Sequence, residues 1–130
     1  MSPEAVIHAI DNSPLNRGLS GAAWMADPAN KHFACNGDVV LFDGEGEGTY
    51  QVHLLFQAKG RAAVEFITEA FRQMFEDHQA ELIFGMVPDF RRDVKIMSRW
   101  VGGKFAGKRD TPEGPCELYV LSKEMWSALK

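Results

Sequence analysis

The strongest constraint in this sequence is a long amphipathic helix set directly against an uninterrupted apolar run. Ala63, Phe66, Ile67, Ala70, Phe71 and Met74 recur at helical spacing, while Glu65, Glu69, Arg72 and Glu76 fall opposite, which predicts a helix over about residues 61–76. Four residues later Ala80-Glu81-Leu82-Ile83-Phe84-Gly85-Met86-Val87 reads as a strand buried on both faces. A helix with one apolar stripe and a strand with two apolar faces satisfy each other only in a layered α/β domain.

The flanking segments agree. Residues 32–35, 39–42 and 50–56 are short strand-like runs bounded by Gly, Asn or Asp, and Asn36-Gly37 is a two-residue hairpin turn. Asp43 to Gly48, alternating Gly with acidic residues, reads as a solvated turn, since an EF-hand spacing is absent. A helix over 3–10 has Ser2 as N-cap and Pro3 at its first position, and Leu19 to Met25 is a second helical stretch. After Pro88, Asp89 caps a helix with the stripe Phe90, Val94, Met97 and Val101, ending at Gly102-Gly103. Strands over 104–106 and 117–121, separated by a turn at 111–115, and an amphipathic tail from Lys123 complete a single domain over 1–130.

Composition excludes several classes. With 130 residues, 45% hydrophobic and 25% charged, the chain supports its own core and is not disordered. A net charge of −4 argues against a nucleic-acid binder that works through overall charge. No apolar run is long enough to cross a bilayer, and Met1-Ser2-Pro3-Glu4 is not the start of a signal peptide. Cys35 and Cys116 stand far apart and the four histidines are scattered, so no metal site is expected and the chain reads as a reduced, cytoplasmic protein. Trp24, Trp100 and Trp126 read as core or lid residues.

Chemistry is concentrated where the third strand meets the long helix, at Gln57-Ala58-Lys59-Gly60-Arg61-Ala62. First-turn amides have no intrahelical partners and carry the positive end of the helix dipole, so such a junction binds a diphosphate. Gly60 admits close approach, and Lys59 and Arg61 add charge. The residues alone also fit an ordinary strand-to-helix turn. The loop is neither a P-loop nor a dinucleotide-binding fingerprint.

The hexad resembles the (Q/R)-x-x-G-x-(G/A) acyl-CoA motif of the GNAT N-acetyltransferase superfamily. Tyr50-Gln51-Val52-His53 precedes it as the motif's strand does, and Val87 to Gly102 is similar to the second signature of strand, P-x-x-N and helix. Over about residues 32–122 the chain most resembles small GNAT-like proteins of phages and prophages. Three positions depart: Arg91 replaces the Asn of P-x-x-N, Gly103 replaces the Phe after Gly102, and Ser98 stands where many members carry a tyrosine acid.

The resemblance implies a mixed, mostly antiparallel twisted sheet flanked by helices and splayed at the acyl-CoA loop. It implies transfer of an acetyl group from acetyl-CoA, without a metal, to a small-molecule or protein amine. The loop residues Gln57 to Ala62 would hold the cofactor, with Arg91 as a further contact. A backbone N–H at Leu54 or Leu55 would polarise the carbonyl. His53 is the candidate base, because histidine titrates near working pH, and Glu81 is the second choice. Tyr119 and Tyr50 are candidate acids. For each a packing role is the alternative, as a solvated face is for Arg91, Arg92, Lys95 and Arg99. Two other arrangements follow: a non-catalytic GNAT-like interaction protein, and a homodimer whose C-terminal tail completes the sheet or cleft.

Overall fold

The computed structural model describes residues 3–12, 20–35, 38–55, 60–112 and 114–129. The expected Ser2 cap, the Asn36-Gly37 turn and the loop residues Gln57, Ala58 and Lys59 lie outside them. The elements are α1 (Pro3–Asn12), α2 (Gly21–Ala26), β1 (Lys31–Cys35), β2 (Asp38–Gly46), β3 (Thr49–Leu55) and α3 (Gly60–Glu76). After these come β4 (Leu82–Pro88), α4 (Arg92–Trp100), β5 (Lys104–Thr111), β6 (Gly114–Ser122) and α5 (Lys123–Ala128).

Six strands form one sheet in the order β1-β2-β3-β4-β6-β5. Only β3 and β4 run parallel among the described pairs, because the connection between them is α3, a right length of chain to cross back over the sheet. The rest are antiparallel neighbours.

Alternation along the strands builds a core on each side of the sheet. On one side Val40, Phe42, Ile83 and Leu121 meet the α3 residues Ile67, Ala70, Phe71, Met74 and Phe75. Trp126 of α5 stacks on Phe75 with centroids 5.2 Å apart, so the C-terminal tail packs on its own chain's core. On the other side Val39, Leu41 and Leu55 meet Val6 and Ile10 of α1 and Trp24 of α2. Ser20 caps α2 by accepting the Ala23 N–H.

Several expectations change. β4 is not covered on both faces: Ile83 and Val87 are buried, but Leu82, Phe84 and Met86 are half-buried. Among the described residues the side-two core takes its buried residues from α1, α2, β2 and β3 and none from β4 or β6. Asp89 does not cap α4; Arg91 occupies the N-cap without a side-chain hydrogen bond, and Asp89 faces Lys95 at 3.5 Å instead. The acidic Gly stretch belongs mostly to β2, which continues to Gly46 and turns at Glu47-Gly48. Trp24 and Trp126 are core residues, whereas Trp100 is 65% exposed. No helix among the described residues is long and apolar enough to cross a membrane.

Candidate active site

The sheet comes apart between its two parallel strands. β3 and β4 pair at Thr49–Leu82, Tyr50–Ile83 and Gln51–Phe84 and no further. Beyond that level β3 stays on β2 as far as Leu55, and β4 stays on β6 as far as Pro88. The β4-facing edge of Val52 to Leu55 therefore has no ladder partner from β4. Backbone groups left free in this way can bind a ligand as an added strand would. Gly85 stands at the fork, where a Cβ would meet Val52 Cγ1 at 3.2 Å.

Past the end of β3, α3 begins at Gly60. Its φ of +64° is a left-handed value that favours glycine, and among the described residues a Cβ built there would meet nothing within 4 Å. The first-turn amides of this 17-residue helix carry the positive end of its dipole, an arrangement suited to an anion. Arg61 and Ala62 are exposed in the same turn, and Arg61 makes only a 3.8 Å contact with Glu65. Gly60, Arg61, Val64 and Glu65 share a surface groove of about 480 Å³ with the exposed ring of Trp100.

His53 and Tyr119 flank the opening on opposite sides of the sheet. His53 pairs with Leu41 and lies diagonally from Asp43, whose partner is Gln51. Its Nε2 is 2.6 Å from Asp43 Oδ2, with side-chain exposures of 18% and 22%. The other Asp43 oxygen accepts a hydrogen bond from Trp24 Nε1. Burial would raise the Asp43 pKa, but the His53 and Trp24 hydrogen bonds, with the nearby imidazole charge, outweigh it and hold it below the usual carboxylate value. An ionised carboxylate only accepts, so Nε2 is the donor, and the tautomer this bond selects is the one with its lone pair on Nδ1.

Tyr119 is opposite Gly85 in the register and 3% exposed. It lines a cavity of about 40 Å³ under the fork with Val52, Phe71, Gly85 and Ser98. Its hydroxyl donates to Glu117 Oε1 at 2.6 Å, and Glu117 Oε2 pairs with Lys95 Nζ at 3.0 Å. Burial and the Glu117 bond raise the phenol pKa against the opposing pull of Arg99. The Tyr119 and Lys95 bonds hold the Glu117 pKa low despite burial.

The other expected residues are spread more widely. Leu54 is half-buried and Leu55 buried at the end of β3, on the unpaired edge. Glu81 is exposed just before β4, its N–H on Gly48 O, about 16 Å down the strands from His53 at 3.3 Å per residue. Tyr50 packs against the side-one core. Arg91 is clamped by Asp93, Nε to Oδ1 at 3.1 Å and Nη2 to Oδ2 at 3.2 Å. Lys95 is likewise taken up by Glu117 and Asp89, so the basic run is not one solvated face. Asp43 and Glu117 are the site residues that sequence reasoning did not find. Among the described residues no group of three His, Cys, Asp or Glu is placed to hold a metal ion.

A six-stranded mixed sheet, flanked by helices and parted beside the start of a long helix, is the architecture of the GNAT acetyltransferases, and this chain has that fold. Among solved structures it is similar to a spermidine N-acetyltransferase chimera from Vibrio cholerae and hSSAT, with a TM-score of 0.78 and 13% identity, covering 98% of this chain and 95% of that one. It is similar to the aminoglycoside acetyltransferase AAC(6')-Ib in complex with coenzyme A and kanamycin, with a TM-score of 0.72 and 12% identity over 98% and 95% of the two chains. A GNAT-family acetyltransferase from Bacillus anthracis gives a TM-score of 0.70 and 13% identity over 94% and 89%. At the level of sequence, no protein-family profile and no curated protein matches.

Proposed function

We propose that this chain is an acetyl-CoA-dependent N-acetyltransferase acting on a primary amine. One observation carries the reading: β3 and β4 part after Gln51 and Phe84, with the first turn of α3 following the end of β3. The aminoglycoside acetyltransferase crystallised with coenzyme A and kanamycin supports the donor, and it and the spermidine N-acetyltransferase support an amine acceptor.

The bound thioester supplies an activated acetyl group. Gly60, Arg61 and Ala62, with Gln57 to Lys59, hold its diphosphate through backbone amides and charge. A backbone N–H at Leu54 or Leu55 donates a hydrogen bond to the carbonyl oxygen as negative charge grows on it. His53 Nδ1 takes the proton that the amine sheds as its nitrogen bonds to the acetyl carbon, and Asp43 keeps the ring in the tautomer that allows this. As the carbon–sulfur bond breaks, Tyr119 gives its proton to the departing thiolate; burial keeps that phenol protonated until then.

A second reading, a CoA-binding protein without turnover, is favoured by the commitment of the Tyr119 hydroxyl to Glu117. Release of free thiol from acetyl-CoA, read together with the mass of the amine product, decides between them. Amine-dependent thiol release with a gain of one acetyl group on the acceptor is expected. Thiol release without an acetylated product, or none with any amine, contradicts the proposal.

A further inference from the structure

On the side of the sheet away from α3, Leu82, Phe84 and Met86 of β4 and Leu118 and Val120 of β6 form an apolar floor. An irregularity between Phe105 and Lys108, with Gly107 at φ +120°, breaks the register of β5 on β6. The hairpin end, Arg109 to Pro112, lies against that floor and closes a groove of about 600 Å³. That volume is typical of a small-molecule site, for which about 300–1,000 Å³ is usual.

The groove leads to the candidate site. Gln51 pairs with Phe84, so the same register carried on by two residues sets His53 across the opening from Met86, on the groove's side of the sheet. From Met86 to Leu82 the floor is about 13 Å long at 3.3 Å per residue, the reach of an aromatic ring on a short alkyl arm. Among the described residues its charged lining is Arg109 and Asp110, one of each sign. Away from the His53–Asp43 end, a polycation spread over this floor would meet one carboxylate beside one guanidinium among the described residues, and its inner ammonium groups would lie over apolar carbon and lose water. A monoamine with an apolar body loses nothing of the kind. Apolar surroundings also disfavour the charged form of its amine, leaving the nitrogen lone pair free to attack.

We infer that the acceptor is a hydrophobic monoamine of the arylalkylamine type, its ring over Phe84 and Leu118 and its nitrogen at the His53 end. The inference rests on the acetyltransferase reading and narrows it. The test measures kcat/KM by thiol release for 2-phenylethylamine, tryptamine and hexylamine against spermidine and kanamycin. The apolar amines are expected to be preferred by about 100-fold, the scale on which a binding pocket separates matched from mismatched substrates. Leu118→Glu, and independently the milder Val120→Thr, should narrow that preference without changing CoA affinity by calorimetry.

Preference for spermidine or kanamycin overturns the inference while leaving acetyl transfer intact. A wild-type protein that binds CoA but acetylates no member of the panel, or that binds no CoA, removes the acetyltransferase reading and the inference together. Sedimentation showing a dimer that Leu118→Glu converts to monomer would give the groove to a second copy of the chain, and would also overturn it.

Discussion

Replacing Asp43 by asparagine removes one charge from a site where that charge does two jobs. The carboxylate accepts from His53 Nε2 at 2.6 Å and from Trp24 Nε1, and both side chains of the His53–Asp43 pair are mostly shielded from water, at 18% and 22% exposure. A charge-assisted hydrogen bond in such surroundings contributes about 1.5–3 kcal/mol, and asparagine recovers part of it by still accepting from Trp24. A net loss of about 1–2 kcal/mol should lower the melting temperature of a chain this size by about 3–8 °C. The effect on turnover is larger. The amide presents its NH2 group to His53, so the ring must accept at Nε2 and carry its proton on Nδ1, which abolishes the lone pair the reaction needs. Loss of general-base assistance lowers kcat by about 10²- to 10⁴-fold. The first turn of α3, by contrast, is untouched, so CoA affinity should hold. Initial rates of thiol release, calorimetry with CoA and a melting curve separate these effects. A kcat within about threefold of wild type, well short of the 10²-fold expected for a base, would refute the dyad.

Tyr119→Phe should keep CoA affinity and slow turnover by about 10²-fold or more, with a product-mass assay as the check; unchanged kcat removes the phenol from the reaction. Phe71→Ala should cost about 3–5 kcal/mol by denaturant titration, because the ring fills space between Phe42 and the fork. Asp43, Asp93 and Glu117 all have lowered native pKa values, so each contributes stability that is present above the ordinary carboxylate range and lost as pH falls through the lowered values. Denaturation midpoints should therefore fall steadily below about pH 4, and Asp43→Asn should flatten that fall; an unchanged slope in the variant would contradict the Asp43 assignment.

Much of the fold was legible because local pattern and tertiary role agree. The stripe from Ala63 to Met74 is the buried face of α3, and the order of strands and helices follows from turn chemistry and apolar spacing. The site was legible only in part, and a single residue shows why. Between Gly44 and Gly46 the pairing of β2 with β3 shifts by one residue. Without that shift, the Gly46–Thr49 register carried back along β2 would set His53 opposite Phe42 and put Asp43 on the other face. A glycine-rich acidic stretch gives no sign of where the extra residue falls, so the His53–Asp43 contact could not be read from spacing. Glu117 escaped for another reason: Tyr119 follows it two residues along β6, but Lys95 comes from α4, and only the packing of that helix on the sheet brings it to them.

The open face of β4 shows the limit of composition. Leu82, Phe84 and Met86 carry the signature of a strand covered twice, yet they are half-buried, and among the described residues the bent hairpin end lies against them. Trp100, read from the sequence as a core or lid residue, lies beside the start of α3 and is exposed.

The most direct test of the account is calorimetric titration of the folded protein with CoA, repeated on Gly60→Ala and Gly60→Glu. Both variants bear the same backbone strain at φ +64°, but only the glutamate adds bulk and negative charge where a diphosphate would lie. Saturable binding to wild type, modestly weakened by alanine and abolished by glutamate, is the predicted result. Wild-type protein that takes up no CoA, or a glutamate variant that binds as tightly as the parent, would contradict it.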